Sequence, residues 1–428
     1  MLTKKFIPCI YLYHGNCVKA LKDMTVVDTN PVRVATYYNE NNADEIIIFD
    51  LSETDEEHDE ALDIIKEICA LSEVDVIGTG NIKRMEDVKK LLYAGCKKVI
   101  LDYTKQSNID ITEEVSLKFG KDKIYVAYDK PSVLAENKEL IQKFTSLLVL
   151  LNTHSIRDSF EILDMPMIVQ ISQLPFNKLF DVLSYSQMYG ITGEIINGSM
   201  KELPALKSLC EEKGIPINTL KPKFAWADLK KNSDGLIPVI IQDYKTNEVL
   251  MMAYMNEEAY ENTLRTGKMC YYSRSRQAQW LKGETSGHYQ YVKSLTADCD
   301  LDTILAKVSQ IGVACHTGAY SCFFNEIVKK DYEDVSNPLK VFEDVFAVIN
   351  DRKIHPKEGS YTNYLFSKGV DKILKKLGEE ATEIVIAAKN PNPNEIKYEI
   401  SDFLYHMMVL MAEKDITWEE ITTELANR

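Results

Sequence analysis

The sequence has no run of about 18 uninterrupted apolar residues, the length a membrane-crossing helix needs. Its opening L-T-K-K-F-I-P is followed by no long apolar stretch either. No membrane association is expected, and the chain reads as soluble and cytoplasmic. A basic surplus is also missing: 50 Lys and Arg stand against 65 Asp and Glu, a net charge of -15. Nucleic-acid binding relies on clustered cations that release counterions, so no nucleic-acid partner is expected. A phosphorylated ligand must then be held by local basic groups. The chain has nine cysteines, and no disulfide framework is expected of them. In a reducing compartment they are expected as thiols or metal ligands.

A chain of this length exceeds one ordinary domain, and two or three are expected. Short β-branched runs alternate with amphipathic stretches at Phe6 to Leu12, Glu45 to Leu51, Val74 to Ile77, Lys98 to Leu101, Ile124 to Tyr128, Ser146 to Leu151, Met167 to Ile171 and Gly193 to Ile196. Eight strands with helical spacers fit a closed (β/α)8 TIM barrel over residues 1–220. A linker follows at Thr219 to Trp226, where Pro222 interrupts regular structure. Residues 221–333 then read as a mixed α+β zinc-binding domain, with strands at Leu236 to Gln242 and Glu248 to Tyr254 and a helix capped by Asn256. The charged stretch Lys329 to Leu339, punctuated by Asn337-Pro338, marks a second boundary. Residues 334–428 read as all-α.

The middle domain carries the densest chemistry. Its run D-C-D-L-D, followed by A-C-H-T-G-A-Y-S-C, sets Cys299, Cys315 and Cys322 beside Asp298, Asp300 and Asp302. Soft thiolates suit zinc, and clustered carboxylate oxygens suit Mg²⁺. Alternation along an extended segment is expected to put the three aspartates on one face and Cys299 on the other. Upstream, Arg274, Arg276 and Lys282 offer charge-assisted donors to a phosphate, and Ser286 and Gly287 leave room for backbone amides. Taken alone, that stretch reads equally well as a basic surface hairpin.

In the last domain, Ile373, Leu374, Leu377, Ala381, Ile384, Val385 and Ala388 keep a helical period from Asp371 to Lys389, which ends at N-P-N-P-N. A matching stripe from Glu395 to Glu413 contains Ile396, Ile400, Phe403, Leu404, Met407 and Leu410. Glu380 and Glu383 are three residues apart, as are Glu399 and Asp402, so each pair projects from one side of its helix. Beside an apolar stripe, four such carboxylates call for a cation between the helices. Lys368 and Lys372 are candidate phosphate partners, though helix solubilisation explains them almost as well.

Three resemblances follow from these motifs. S-R-S-R, W-L-K-G-E-T-S-G-H, D-C-D-L-D, A-C-H-T-G and S-C-F, in that order, resemble phosphoribosyl-AMP cyclohydrolase. That resemblance implies hydrolytic opening of the adenine ring at C6, a zinc carried by Cys299, Cys315 and Cys322 and shared across a two-fold dimer, and Mg²⁺ on Asp298, Asp300 and Asp302. Zinc with an open position activates water near neutral pH; a closed structural knuckle completed by His316 is the competing reading. His288 and His316 are candidates for proton transfer or for structural hydrogen bonding, unranked.

E-G-S-Y-T, F-S-K-G-V-D-K-I-L-K-K-L-G-E-E-A-T-E and Y-E-I-S-D-F-L-Y-H resemble phosphoribosyl-ATP pyrophosphohydrolase. This implies Mg²⁺ on Glu380, Glu383, Glu399 and Asp402 and loss of pyrophosphate from phosphoribosyl-ATP. Phosphoribosyl-ATP and phosphoribosyl-AMP are then successive substrates of one bifunctional, homodimeric histidine-biosynthesis enzyme.

M-L-T-K-K-F-I-P-C-I, A-D-E-I-I-I-F-D-L, D-V-I-G-T-G-N-I and Y-A-G-C-K-K-V-I-L resemble the histidine-biosynthesis barrels, closest to the cyclase subunit of imidazole glycerol phosphate synthase. That family has a catalytic Asp at the ends of strands 1 and 5. Here strand 1 offers Tyr11, strand 5 keeps Asp129, the turn Gly78 to Asn81 keeps two glycines, and I-S-Q-L-P-F stands where a Gly-Gly pair is expected. A tyrosine is no general base near pH 7, so the barrel is expected to be a non-catalytic scaffold or regulatory surface. Two rival readings remain: a general nucleoside triphosphate pyrophosphohydrolase with a zinc-binding interaction module, and a barrel that is a live third enzyme or docks a glutaminase partner.

Overall fold

The computed structural model describes residues 2–328, 339–390 and 393–426. They form two compact units, Met1–Glu326 and Ile327–Arg428. All but the last residue of the expected boundary Lys329 to Leu339 lies outside the described residues.

In the first unit, the opening strand is split at Pro8, which has no N–H to give a ladder. Lys5–Ile7 pairs in parallel with Met188–Thr192, and Cys9–Tyr13 pairs in parallel with Glu45–Asp50. The ladder continues in parallel through Asp75–Thr79, Lys98–Asp102, Ile124–Tyr128, Leu147–Leu150 and Met167–Gln170 to Met188–Thr192. It therefore returns to the opening strand, and eight parallel strands close on themselves. Within Glu45–Asp50, Ile46 and Ile48 join the outer core, while Ile47 and Phe49 join an inner one with Ile7, Tyr11, Ile77, Tyr125 and Ile168. Burial on both faces is why this strand reads as a continuous apolar run.

The eighth strand is not where the sequence pattern put it. Gly193 to Ile196 turns out of the barrel at Gly193, whose φ is +99°, into the helix Glu194–Gly198. The strand is Met188–Thr192, whose apolar signal is interrupted by Gly190. A Cβ at Gly190 would lie 2.7 Å from the Lys5 carbonyl oxygen, so the closing seam of the barrel demands the residue that hid it.

The second half of this unit is a four-stranded mixed sheet in the order Val249–Met255, Ile237–Asp243, Ile304–Gln310 and Gln290–Ala297, with a separate hairpin of Cys270–Ser273 and Ala278–Leu281. Its helix Glu257–Thr266 is capped by the Asn256 side chain, which accepts from Ala259 N, and ends at left-handed Gly267. This sheet domain meets the N-terminal end of the barrel. Lys293 Nζ lies 2.8 Å from Glu73 and 3.4 Å from Glu40, and Asn42 Nδ2 donates to Thr266 O at 3.3 Å. The opposite, C-terminal end is where barrels of this kind hold active sites.

The second unit is helical: Lys340–Ile354, Tyr361–Lys368, Val370–Ala387, Pro393–Glu413 and Trp418–Ala426. Val370–Ala387 and Pro393–Glu413 pack together. Their buried face is narrower than the sequence stripes, because Leu374, Val385 and Ile400 are exposed. Among the described residues no helix is long and apolar enough to cross a membrane.

Candidate functional site

In the sheet domain, two distant segments meet. The imidazole of His288 lies over Gly312: a Cβ there would be 2.6 Å from His288 Cδ2, and φ of +63° also disfavours a side chain. The stretch ending in His288 is thereby fixed against the loop that carries Cys315 and Cys322. That loop is tied down by Ala314 N to Tyr320 O at 3.1 Å, Cys315 N to Ala319 O at 3.2 Å and Cys322 N to Leu250 O at 2.7 Å. Gly318, at φ +92°, supplies the turn between the two cysteines.

Cys315 and Cys322 interact through their thiols. Hydrogen bonding from Thr317, whose hydroxyl lies 3.0 Å from the sulfur, holds the Cys315 thiol below its usual range. Burial, and then the neighbouring Cys315, pushes Cys322 up. Of two contacting thiols the first to ionise is stabilised by its partner's S–H, so Cys315 is the readier thiolate. Cys299 is exposed, and among the described residues it does not join these two in a three-ligand cluster. A donor set of soft sulfurs with a low-lying thiolate fits zinc.

Asp298, Asp300 and Asp302 place carboxylate oxygens within 4.8 Å of one another, as a hard cation requires. They do so on a turn rather than on an extended strand. Asp298 Oδ1 accepts from Asp302 N at 3.0 Å and Thr303 N at 3.2 Å, and Leu301 adopts φ +67°. An Asx-type turn of this kind competes with strand geometry, which is why the alternation argument misjudged the local shape. Desolvation opposes ionisation of Asp298, but the hydrogen bonds from Thr303 and Asp302 together outweigh it and hold it below the usual carboxylate range.

Arg274 and Arg276 are exposed, with the Arg274 guanidinium 3.9 Å above the Tyr254 ring. Ser286 and Gly287 are exposed as well, and Ser286 Oγ accepts from His288 N at 3.2 Å. His316 is exposed. Lys282 differs from the two arginines: it is 6% exposed.

In the helical unit, Glu380, Glu383 and Glu399 bring carboxylate oxygens within 4.8 Å of one another, but Asp402 is not part of that group. Partial desolvation, and then repulsion by Glu380 and Glu399, pushes Glu383 up. Three crowded carboxylates are the donor chemistry of a divalent-cation site. Lys368 is exposed and Lys372 half-buried, whereas Lys376 reaches Glu380 at 3.3 Å and Glu379 at 3.0 Å. His406 was missed by the sequence reading. It is 4% exposed, with Nδ1 2.8 Å from Asp402 O and 3.7 Å from Glu380 Oε1, and Nε2 3.1 Å from the Tyr361 hydroxyl. The available signal was its spacing of four from Asp402, which puts both on one helix face.

In the barrel, Tyr11 is fully buried and stacks on Phe49 at a centroid distance of 5.2 Å. Burial, reinforced by Cys9 and Glu194, pushes its phenol far above its ordinary value. Asp129 is half-buried, and its carbonyl accepts from Asn152 Nδ2 at 2.6 Å. The Gly78 to Asn81 turn is held close, since a Cβ on Gly80 would meet the Asp50 carbonyl oxygen at 2.0 Å.

Comparison with known proteins matches three family models along the chain. They are the histidine biosynthesis protein family at residues 5–152, phosphoribosyl-AMP cyclohydrolase at 251–324 and phosphoribosyl-ATP pyrophosphohydrolase at 342–428. The histidine biosynthesis bifunctional protein HisIE of Thermoanaerobacter pseudethanolicus is 55% identical over 209 residues, covering 46% of this chain and 97% of that protein. The proteins of the same description from Lactococcus lactis and Bacillus subtilis are 52% and 49% identical over 193 and 201 residues. These matches cover 45% and 47% of this chain, and 88% and 95% of the relatives.

Proposed function

The chain belongs to the family of histidine biosynthesis bifunctional proteins HisIE, and on that premise we propose which residues perform its two hydrolytic steps. It is a phosphoribosyl-ATP pyrophosphohydrolase and a phosphoribosyl-AMP cyclohydrolase in one polypeptide. The first activity yields phosphoribosyl-AMP and pyrophosphate; the second hydrolyses the adenine ring of phosphoribosyl-AMP at C6. The observation that carries the residue assignment is that each matched domain gathers three carboxylates to within 4.8 Å of one another.

For the first step, Glu380 and Glu383 on one helix and Glu399 on the next, with Asp402 one turn beyond Glu399, would hold Mg²⁺. When bound, Mg²⁺ supplies charge neutralisation at the phosphates. Lys368 and Lys372 meet the outer phosphates. For the second step, Arg274 and Arg276 bind the substrate phosphate together with the backbone around Ser286 and Gly287, and Asp298, Asp300 and Asp302 hold a further Mg²⁺. Zinc on Cys299, Cys315 and Cys322, when bound, supplies the Lewis acidity that makes water nucleophilic near pH 7. His288, fixed over Gly312 beside the cysteine loop, and His316, exposed on it, move protons to and from the purine ring.

The cyclohydrolase domain works as a homodimer with Cys299 completing the partner's thiol pair. Two observations support this: Cys299 stands apart from Cys315 and Cys322, and apolar side chains remain uncovered nearby. Ile240 and Met252 are directly opposite each other in their ladder and both exposed, as are Phe323 and Phe324. The barrel, resembling the cyclase subunit of imidazole glycerol phosphate synthase, is a non-catalytic scaffold. A buried phenol packed on Phe49 occupies the position of the strand 1 carboxylate, and the barrel's N-terminal end buttresses the cyclohydrolase sheet.

The test is to incubate the zinc- and magnesium-loaded protein with phosphoribosyl-ATP and follow products by mass. Pyrophosphate and the ring-opened carboxamide together are expected. Accumulation of phosphoribosyl-AMP would withdraw the catalytic assignment of the cysteine segment.

A further inference from the structure

Residues 314–322 form neither helix nor strand, so the placing of Cys315 and Cys322 depends on what ties this loop to the sheet. Ordering such a segment costs backbone entropy at every residue. On one side it is strapped to the strand Val249–Met255: Ser321 Oγ donates to Val249 O at 2.8 Å, beside the bond from Cys322 N to Leu250 O. On the other side the Tyr320 hydroxyl donates to Asp243 Oδ2 at 3.1 Å. Asp243 is the last residue of the strand Ile237–Asp243 and is buried. Its Oδ1 accepts from Lys245 N at 3.0 Å and Thr246 N at 2.8 Å, which closes the turn into the next strand and fixes the carboxylate in one orientation. A bond from a phenol to a carboxylate is charge-assisted and stronger than a neutral one. The Tyr320 carbonyl accepts from Ala314 N, next to Cys315, and Cys322 follows two residues later. One side chain thus joins the stretch carrying both cysteines to the buried end of a sheet strand.

Binding zinc requires both sulfurs to be ionised and to converge on one point, and two thiolates brought together repel each other. A loop free to splay would relieve that repulsion by separating them; an anchored loop cannot. We propose that Asp243 and Tyr320 form a latch that holds the Cys315–Cys322 loop in its metal-binding shape. Both are positioning residues of the cyclohydrolase site, Asp243 acting through Tyr320 and Tyr320 through the loop backbone. The inference rests on the reading of these cysteines as zinc ligands.

The experiment is a zinc competition titration of the full-length protein against a chromophoric chelator. Chemical denaturation of the metal-free protein and pyrophosphate release from phosphoribosyl-ATP serve as checks of folding. Tyr320→Phe, which removes only the hydroxyl, is expected to weaken zinc binding about 10- to 100-fold, the usual effect of losing an outer partner of a metal site. Asp243→Asn keeps an oxygen for the turn but loses the charge, and is expected to weaken zinc binding as well. The double variant should bind zinc no more weakly than the worse single one, because the two residues share one bond, whereas independent losses would add. If Asp243→Asn fails to fold, Asp243→Glu takes its place in the cycle. Parent-like zinc affinity in Tyr320→Phe, or losses that simply add in the double variant, would overturn the proposal. Failure of the underlying cysteine reading is separately visible, because the parent protein itself would then hold no zinc and Cys315→Ser would change nothing.

Discussion

Single residues decide most of the chemistry, and they differ in how visible they are from sequence. Glu380 and Glu383 were legible because spacing on one helix maps directly onto a shared face, whereas the same argument paired Glu399 with Asp402, which stays outside the triad. His406 was not legible, since a spacing of four from Asp402 does not by itself mark a histidine and its contact with the Tyr361 hydroxyl comes from another helix. Glu380→Gln is expected to cut pyrophosphate release by at least about 100-fold, as loss of a metal-site group does, with ring opening of directly supplied phosphoribosyl-AMP unchanged. Equal loss of both activities would argue for misfolding instead. His406→Ala removes a buried side chain together with its hydrogen bonds to the Asp402 carbonyl and the Tyr361 hydroxyl, at a cost of about 1 kcal/mol or more. It should also raise the Mg²⁺ concentration for half-maximal pyrophosphate release about tenfold or more. A lowered Tm with an unchanged Mg²⁺ requirement would make His406 merely structural. In the barrel, Tyr11→Phe should be nearly silent, because its bond from Gln170 is long at 3.4 Å. Tyr11→Asp should cost about 3–5 kcal/mol, the scale of an unpaired buried charge, read as chemical denaturation of the first unit.

At the scale of elements, seven of the eight barrel strands were legible as apolar runs, and the eighth was displaced because a glycine required by a close backbone approach broke its pattern. The junction between barrel and sheet domain was invisible, since it joins Glu40 and Glu73 to Lys293 across more than 200 residues. Burial pushes Glu40 up, and Lys293 only partly offsets this. Burial opposes the Lys293 ammonium too, but the two glutamates outweigh it and raise Lys293. The nearer Glu73 is thus the true ion-pair partner. A carboxyl raised in the folded state binds protons more readily there than in the unfolded chain. Its stabilising contribution is therefore greatest at acid pH and is lost as pH rises from the ordinary value of 4.5 through the raised one. Glu40→Gln should accordingly be neutral or mildly stabilising at pH 7, with its difference from the parent vanishing as pH falls toward 4.5. Lys293→Met, which leaves two carboxylates facing each other, should cost about 1–3 kcal/mol. Equilibrium denaturation across pH 4–8 checks both; a Glu40→Gln variant clearly weaker at pH 7 would assign Glu40 the principal charge pair.

Across the whole molecule, less than half of the chain accounts for 97% of its Thermoanaerobacter relative, so that protein has no room for a barrel of this size. Both activities are therefore expected to need only the later domains, and metal dependence should separate them. The soft sulfur donors and one carboxylate triad lie in the first compact unit, and the other triad lies in the second. Zinc prefers thiolate and Mg²⁺ prefers oxygen, so protein stripped by a chelator should regain pyrophosphate release on adding Mg²⁺ alone and then accumulate phosphoribosyl-AMP. Adding zinc as well should discharge that intermediate into the ring-opened product. Product analysis at each addition is decisive. Ring opening with Mg²⁺ alone would show that the thiolates are not needed for catalysis, and pyrophosphate release that awaits zinc would show that the helical unit depends on the metal of the other.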